Sequence, residues 1–129
     1  MEVTPRMERL LDSVILIDHF NDIKKATNFI LGLEPDKTAI SVITRAEVLT
    51  GFEDNEARHA KALLDQFHLL LIEKETADKA AKLRKAHGWK LPDAFQAALC
   101  MEHHIKLTTR NTKDFNPKKY PFVEIPYRL

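Results

Sequence analysis

The apolar segment LLDSVILIDHF, residues 10–20, contains a carboxylate at Asp12, where an uninterrupted core segment would otherwise be expected. A charge removed from water is costly unless it is paired with another group or coordinates one. Three more acids, Glu47, Asp93 and Asp114, stand beside predicted strand ends or helix starts. Four carboxylates gathered together would repel one another and raise each other's pKa values. A divalent cation resolves that conflict, so the pattern predicts a site for Mg²⁺ or Mn²⁺, which prefer oxygen ligands.

Such a site could cleave phosphodiester bonds. One or two ions can activate water, orient a phosphodiester and stabilise the leaving oxygen. An acid cluster without His or Cys ligands is the form expected of a nuclease site. Each acid also has a purely local explanation. Asp12 and Asp93 are possible helix caps, Asp114 is a possible turn residue, and Glu47 completes a capping box that starts at Thr44. Spacing alone leaves both interpretations open.

The elements that would position these acids alternate along the chain. Apolar and β-branched runs predict strands, and apolar residues at helical spacing predict helices. Strands are predicted at 7–11, 38–43, 68–73, 105–109 and 122–125, and helices at 13–20 (capped by Ser13), 22–33, 44–51, 55–67, 75–87 and 93–104. This alternation predicts a parallel sheet covered by helices on both faces. Ligands of such sheets bind beyond the carboxyl ends of the strands, which is where Asp12 lies.

Composition sets broad limits. The 129 residues predict one domain over 1–129, and 44% hydrophobic with 30% charged residues is ordinary for a globular protein. A net charge of +1 shows no global basic excess, although lysines and arginines cluster at 79–90 and 110–119. No segment is apolar enough for a membrane span, no secretion signal is visible, and Cys100 is the only cysteine. We therefore expect a cytoplasmic protein that makes no membrane contact.

Four segments carry a resemblance to a known family. LLDSVILIDHF, ISVITRAEVLTG, LPDAFQAAL and LTTRNTKDF occur in the order found in PIN-domain ribonucleases, and the chain most resembles the VapC-type toxins of toxin–antitoxin pairs. The resemblance implies a three-layer α/β/α fold with a mainly parallel central sheet, and endonucleolytic cleavage of RNA that depends on Mg²⁺ or Mn²⁺. Under it, Asp12, Glu47, Asp93 and Asp114 are the catalytic metal ligands. A cognate antitoxin and a homodimer are implied as partners.

Other residues are expected to support those acids. Thr109 and Asn111 match polar positions of the family beside the last acid and would shape the site. Arg45 and Arg110 lie close in sequence to the acids and could contact phosphates. Ser13, directly after the first acid, is a further positioning candidate.

Two positions of the first helix bear on the resemblance. Val14 stands where many members of the family have Asn, which removes one polar neighbour of the first acid. Asp18 recurs in the family, and we expect it to have a positioning or structural role.

Three further residue types could suggest other sites. Adjacent helical residues such as His103 and His104 point about 100° apart, which is poor geometry for chelating zinc. Cys100 lies among alanines and leucines and is expected to be an inert core thiol. Trp89 could stack on a base of single-stranded RNA or could pack against the core.

Three alternative functions remain open from the sequence. The chain could be an inactive PIN-like module that binds RNA or protein, or an RNA-processing PIN nuclease outside a toxin–antitoxin pair. It could also be a phosphotransfer receiver domain, which likewise places acids at strand ends. That interpretation would make Asp12 the phosphate acceptor and needs a lysine after a late strand, for which Lys113 is a loose candidate.

Overall fold

The computed structural model describes residues 6–129, over which strands and helices alternate. The strands are β1 (Arg9–Leu11), β2 (Thr38–Ser41), β3 (His68–Leu70), β4 (Lys106–Thr108) and β5 (Val123–Glu124). The helices are α1 (Ser13–Phe20), α2 (Lys24–Leu31), α3 (Val42–Thr50), α4 (Ala57–Leu64), α5 (Lys74–His87) and α6 (Leu91–His103), with a 3₁₀ turn at Pro35–Lys37. No helix in this range has the length and apolar character needed to cross a membrane.

The five strands form one sheet in the order β3-β2-β1-β4-β5, and every neighbouring pair is parallel. Successive side chains of a strand point to opposite faces, so adjacent residues enter different cores. Leu10 of β1 belongs to the core under α5 and α6, whereas Leu11 belongs to the core under α1 to α4. Ala39 and Ile40 of β2 divide in the same way. The predicted three-layer α/β/α fold is confirmed.

The strand order places the switch in chain direction between β1 and β4. From β1 the chain moves outward to β2 and β3, then returns to the other side of β1 to form β4 and β5. In open α/β sheets this switch point opens a crevice at the carboxyl ends of the strands. Asp12 directly follows β1 and Thr109 directly follows β4, so both lie at this crevice. The receiver-domain interpretation was wrong, because a sheet of that kind has the order 2-1-3-4-5.

Two predicted helix caps were also wrong. Ser13 does not cap α1; Asp12 is the N-cap, and its side chain accepts a hydrogen bond from the main-chain N–H of Ser13. The capping box from Thr44 to Glu47 does not form, because α3 already begins at Val42. Its N-cap is Ser41, whose hydroxyl accepts a hydrogen bond from the main-chain N–H of Thr44. The strand predicted at 38–43 therefore ends at Ser41.

Candidate active site

Asp12 is buried at the carboxyl end of β1, with 7% of its surface exposed. Its Oδ1 accepts the main-chain N–H of Ser13 at 2.8 Å, and its Oδ2 accepts the hydroxyl of Thr109 at 2.7 Å. Burial raises the pKa of Asp12, and hydrogen bonds from Thr109, Ser13 and Gln96 oppose that rise without cancelling it. The role of Ser13 is therefore carried by its main chain. Each carboxylate oxygen has a second lone pair, so Asp12 can still accept from a ligand.

A buried hydrogen-bond network lies against Asp12. The Ser41 hydroxyl donates to Oε1 of Gln96 at 2.6 Å, and Nε2 of Gln96 donates to the Thr44 hydroxyl at 2.7 Å. Thr44 in turn donates to the carbonyl of Leu11 at 3.3 Å, the residue before Asp12. Gln96, Ser41 and Thr44 are each 2% exposed or less. The network therefore joins β1, α3 and α6 around the first acid.

The segment after β4 carries Asp114 and is held by its own side chains. The Thr109 hydroxyl accepts the main-chain N–H of Asn111 at 3.1 Å while it donates to Asp12. Nδ2 of Asn111 donates to Oδ2 of Asp114 at 2.9 Å, and Oδ1 of Asn111 accepts the main-chain N–H of Asp114 at 3.3 Å. Trp89 donates from its indole Nε1 to the Asp114 carbonyl at 3.1 Å. Thr109 and Asn111 thus connect the first and last acids of the predicted set.

Asp93 lies in the first turn of α6, close enough to the other acids for their charges to change its pKa. Its pKa is raised from 3.8 to about 6, first by burial and then by the charges of Asp12, Asp114 and Glu47. The positive charge of Lys90 opposes this rise. Four acids from β1, α3, α6 and the segment after β4 therefore interact electrostatically at one end of the sheet. Neither the Asp93 nor the Glu47 side chain makes the cap hydrogen bond that the local explanation required.

The donor chemistry of these acids fits a hard divalent cation. All four donors are carboxylates, and the mutual repulsion that raises the Asp93 pKa is what a cation would relieve. Within residues 6–129, no three His, Cys, Asp or Glu side chains are gathered tightly enough to enclose an ion by themselves. Mg²⁺ often takes only one or two carboxylates and completes its shell with water and substrate phosphates. The arrangement therefore suits an open site that shares its ion with a phosphate.

Both arginines that were predicted to contact phosphate have carboxylate partners within the protein. Arg110 donates through Nε and an Nη to the two carboxylate oxygens of buried Asp18, at 2.7 and 3.0 Å. The Tyr127 hydroxyl donates to the same Asp18 at 2.7 Å. Arg45 donates to Asp65 at 2.7 Å, an ion pair between α3 and the end of α4. Asp18 thus has the structural role predicted for it, and a phosphate contact by either arginine stays a prediction.

Trp89 and Cys100 belong to the core. Trp89 is 3% exposed and packs against His87 and Phe115, with ring centroids 4.3 and 4.8 Å apart. Base stacking by Trp89 was the wrong alternative, because both the ring and its N–H are used within the protein. Cys100 is 1% exposed, and burial raises its thiol pKa far above the ordinary value, as expected of an inert core thiol. Val14 is half-buried against the core of α1 to α4.

Comparison with known proteins now identifies the family. A family model described as PIN domain matches residues 9–118. The chain belongs to the PIN domain family. PIN domains are in general nucleases, and they generally use divalent metals. A search of curated proteins found no match.

Several solved structures are similar to this chain over nearly its whole length. One chain, from a toxin–antitoxin complex of Klebsiella pneumoniae, is 34% identical with a TM-score of 0.86, and the match covers 95% of this chain and 100% of that one. FitAcB from Neisseria gonorrhoeae is 22% identical with a TM-score of 0.76 and coverage of 94% and 99%. VapBC2 from Rickettsia felis, bound to a promoter DNA fragment, is 18% identical with a TM-score of 0.68 and coverage of 92% and 98%. The resemblance to PIN-domain toxins of toxin–antitoxin pairs is thereby confirmed.

Sequence reasoning missed Gln96, Ser41 and Thr44 as a network around the first acid. Gln96 is the one polar amide among the buried residues of α6, which are otherwise alanines, Leu99 and Cys100. A polar side chain in a buried helix needs a partner for the same reason as a carboxylate in a buried strand. Applied to Gln96, that argument would have indicated the network, although not the identity of its partners.

Proposed function

We propose that this PIN protein is a metal-dependent endoribonuclease that cleaves RNA phosphodiester bonds and serves as the toxin of a toxin–antitoxin pair. The proposal rests on how the fold brings together acids that are distant in sequence. Hydrogen bonds through Thr109 and Asn111 connect the carboxylates of Asp12 and Asp114, and the charges of Asp12, Glu47 and Asp114 all raise the pKa of Asp93. Such a concentration of negative charge is unfavourable for stability unless a cation occupies it, and it is found at the switch point where ligands of this sheet type bind.

In this proposal Asp12, Asp93 and Asp114 hold Mg²⁺ or Mn²⁺, with Glu47 at the exposed side of the site. When bound, the cation would neutralise phosphate charge and increase the acidity of attacking water. Thr109 and Ser13 fix the rotamer of Asp12 through one hydrogen bond to each carboxylate oxygen. Asn111 restrains Asp114 by donating to its Oδ2 and by accepting its main-chain N–H. Carboxylates held in this way need little reorganisation when the substrate arrives.

An antitoxin partner is supported by a groove beside the acids. The groove, with a volume of about 270 Å³, lies between α1 and α3 and is lined by Ile17, Phe20, Phe52 and Glu47 among others. Ile17 is 38% exposed there and, with Phe20 and Phe52, gives the groove an apolar wall that a protein partner could cover. A protein seated in this groove would cover Glu47. By contrast, the apolar faces of α2 and α4 are buried within the protein through Ala26, Ile30, Ala60 and Leu64.

A nuclease assay tests the enzymatic part of the proposal. Purified protein is incubated with cellular RNA and Mg²⁺ or Mn²⁺, with and without EDTA, beside Asp12→Asn, Asp93→Asn and the control Asp78→Asn. Asp78 is an exposed acid of α5 on another part of the surface. We expect cleavage by the wild type and the control, and its loss with EDTA or in the two site variants. Equal activity in all four proteins would indicate contamination and contradict the site, whereas RNA binding without cleavage would favour the inactive module.

The antitoxin partner and the oligomeric state of the chain are tested by separate measurements. We expect the protein encoded next to this gene to copurify with the chain and inhibit cleavage, and Ile17→Glu to weaken that complex while leaving cleavage by the free chain intact. A housekeeping RNA-processing nuclease would have no such inhibitor. Light scattering of the purified chain tests the proposed homodimer directly.

A further inference from the structure

A second cavity has Asp114 in its wall but none of the other three acids. It has a volume of about 310 Å³ and is lined by His87, Trp89, Lys113, Asp114, Lys119 and Tyr120. We term it the lysine cavity. Because Asp114 forms part of its wall, the cavity adjoins the proposed cleavage site. It also contains residues of the basic segment at 110–119 that the site itself does not use.

The charges in the lysine cavity are opposite to those of the acid cluster. Lys113 and Lys119 are both exposed, and among residues 6–129 neither has a carboxylate within salt-bridge distance. Nζ of Lys119 lies 5.4 Å from the centroid of the Tyr120 ring, which is within the range of a cation–π contact. Two ammonium groups therefore face solvent beside a proposed metal ligand without an anionic partner.

Aromatic residues pack against one another in the wall of the cavity. His87 stacks on buried Trp89, with ring centroids 4.3 Å apart and planes 19° apart. The Tyr120 hydroxyl lies 3.2 Å from Nδ1 of His87, and the Tyr120 and Trp89 ring centroids lie 5.1 Å apart. Trp89 also donates to the carbonyl of Asp114. This aromatic cluster ties the cavity wall to the acid, so the lysines are presented at a defined place relative to the cleavage site.

We propose that the lysine cavity binds the RNA strand next to the cleaved bond, with Lys113 and Lys119 contacting phosphates. This inference rests on the proposed ribonuclease function. Four carboxylates repel a polyanion, so a substrate with one phosphate at the acids needs attraction elsewhere along the same strand. Lysine is suited to this task because it contacts phosphate as a point charge and reads no base. The cavity would thus supply affinity and strand direction, while base preference is determined elsewhere.

The test compares two double variants that lose the same charge. Lys113→Gln/Lys119→Gln alters the lysine cavity, whereas Lys24→Gln/Lys61→Gln removes two exposed lysines from α2 and α4, on the opposite face of the sheet. Binding of a short fluorescein-labelled single-stranded RNA is followed by fluorescence anisotropy at several salt concentrations. Each pair is placed in an Asp12→Asn background so that cleavage does not interfere. The same two double variants, made with Asp12 intact, are also assayed for RNA cleavage to measure kcat and KM.

We expect the cavity variant to lose affinity by on the order of tenfold, and its log–log salt slope to become shallower by about 1.4, since each phosphate contact on a single strand contributes about 0.7. KM should rise while kcat at saturating RNA changes little. The control pair should match its parent. Equal affinity and slope in the two pairs would overturn the inference, and so would absence of RNA binding by the parent. Binding that depends on the cavity, without cleavage by the wild type, would instead remove only the proposed nuclease function.

Discussion

Thr109 and Asp12 are 97 residues apart in the chain, and the hydroxyl of the first donates to a carboxylate oxygen of the second at 2.7 Å. Both residues directly follow neighbouring parallel strands, β1 and β4, which are paired from Arg9↔Lys106 to Leu11↔Thr108. The same hydroxyl accepts the main-chain N–H of Asn111. Thr109 therefore connects the first acid of the site to the segment that carries the last one.

Loss of the Thr109 hydroxyl should weaken metal binding more than it lowers the stability of the folded protein. Thr109→Val removes the bond that fixes Asp12, and loss of such an outer contact typically costs about 10- to 100-fold in metal affinity or activity. We expect the Mn²⁺ concentration for half-maximal RNA cleavage to rise accordingly. Thr109→Ser should remain near wild type. Thr108→Val, which removes the neighbouring hydroxyl bonded to Glu124, is the matched control, and an equal effect there would contradict a specific role for Thr109.

Gln96 should contribute more to the stability of the folded protein than an exposed polar residue does. Gln96→Leu leaves the buried hydroxyls of Ser41 and Thr44 without their amide partner, and an unsatisfied buried group costs about 1–3 kcal/mol. We expect the free energy of unfolding in urea to fall by about that amount. Gln66→Leu alters an exposed glutamine, and we expect a change within about 0.5 kcal/mol. Similar values for the two variants would show that the network contributes nothing.

The ion pair between Asp18 and Arg110 should make stability depend on pH in the acid range. Burial opposes ionisation of Asp18, but hydrogen bonds from Arg110 and Tyr127 and the charge of Arg110 outweigh it and lower its pKa below 3.8. A carboxyl group whose pKa is lower in the folded state stabilises the protein above its unfolded pKa. That stabilisation is lost as pH falls through the folded pKa.

Asp18→Asn tests this directly. At pH 7 we expect it to lower the free energy of unfolding by about 2 kcal/mol, the contribution of hydrogen bonds to a charged group. The difference from wild type should shrink progressively as pH falls below about 4. A difference that stays constant from pH 7 to pH 3 would show that the carboxylate charge is not the source. Urea titrations at each pH provide the measurement.

The indole N–H of Trp89 should help hold Asp114 in place. Trp89→Phe keeps an aromatic ring in the core but removes the donor to the Asp114 carbonyl, which we expect to cost about 1 kcal/mol of stability. RNA cleavage at a temperature well below unfolding should also fall, because the segment carrying Asp114 is less constrained. Tyr120→Phe removes a hydroxyl from the same aromatic cluster without contact to Asp114 and should retain kcat. Unchanged kcat in Trp89→Phe would rule out this positioning role.

Element types could be predicted well, and their ends less well. The spacing of apolar residues and the presence of β-branched residues predicted each strand and helix. This was possible because the pattern of apolar residues that an element buries is a local property of the sequence. The caps were harder to predict. Thr44 and Glu47 have the spacing of a capping box, yet Ser41 caps α3, because its hydroxyl also has a partner in Gln96 on a distant helix. Partners of that kind are invisible to a local pattern.

What the sequence determined by itself is the alternation of strands and helices, and with it the likeness to PIN proteins that four short segments carried. It also indicated that Asp12 needs a partner, since a carboxylate in an apolar run is costly anywhere in the core. Only the tertiary structure decided which groups meet. The order β3-β2-β1-β4-β5 brings Thr109 to Asp12 and excludes a receiver domain, and it turns Arg110 towards Asp18. Strand order depends on contacts between residues far apart in the chain, and no local spacing encodes it.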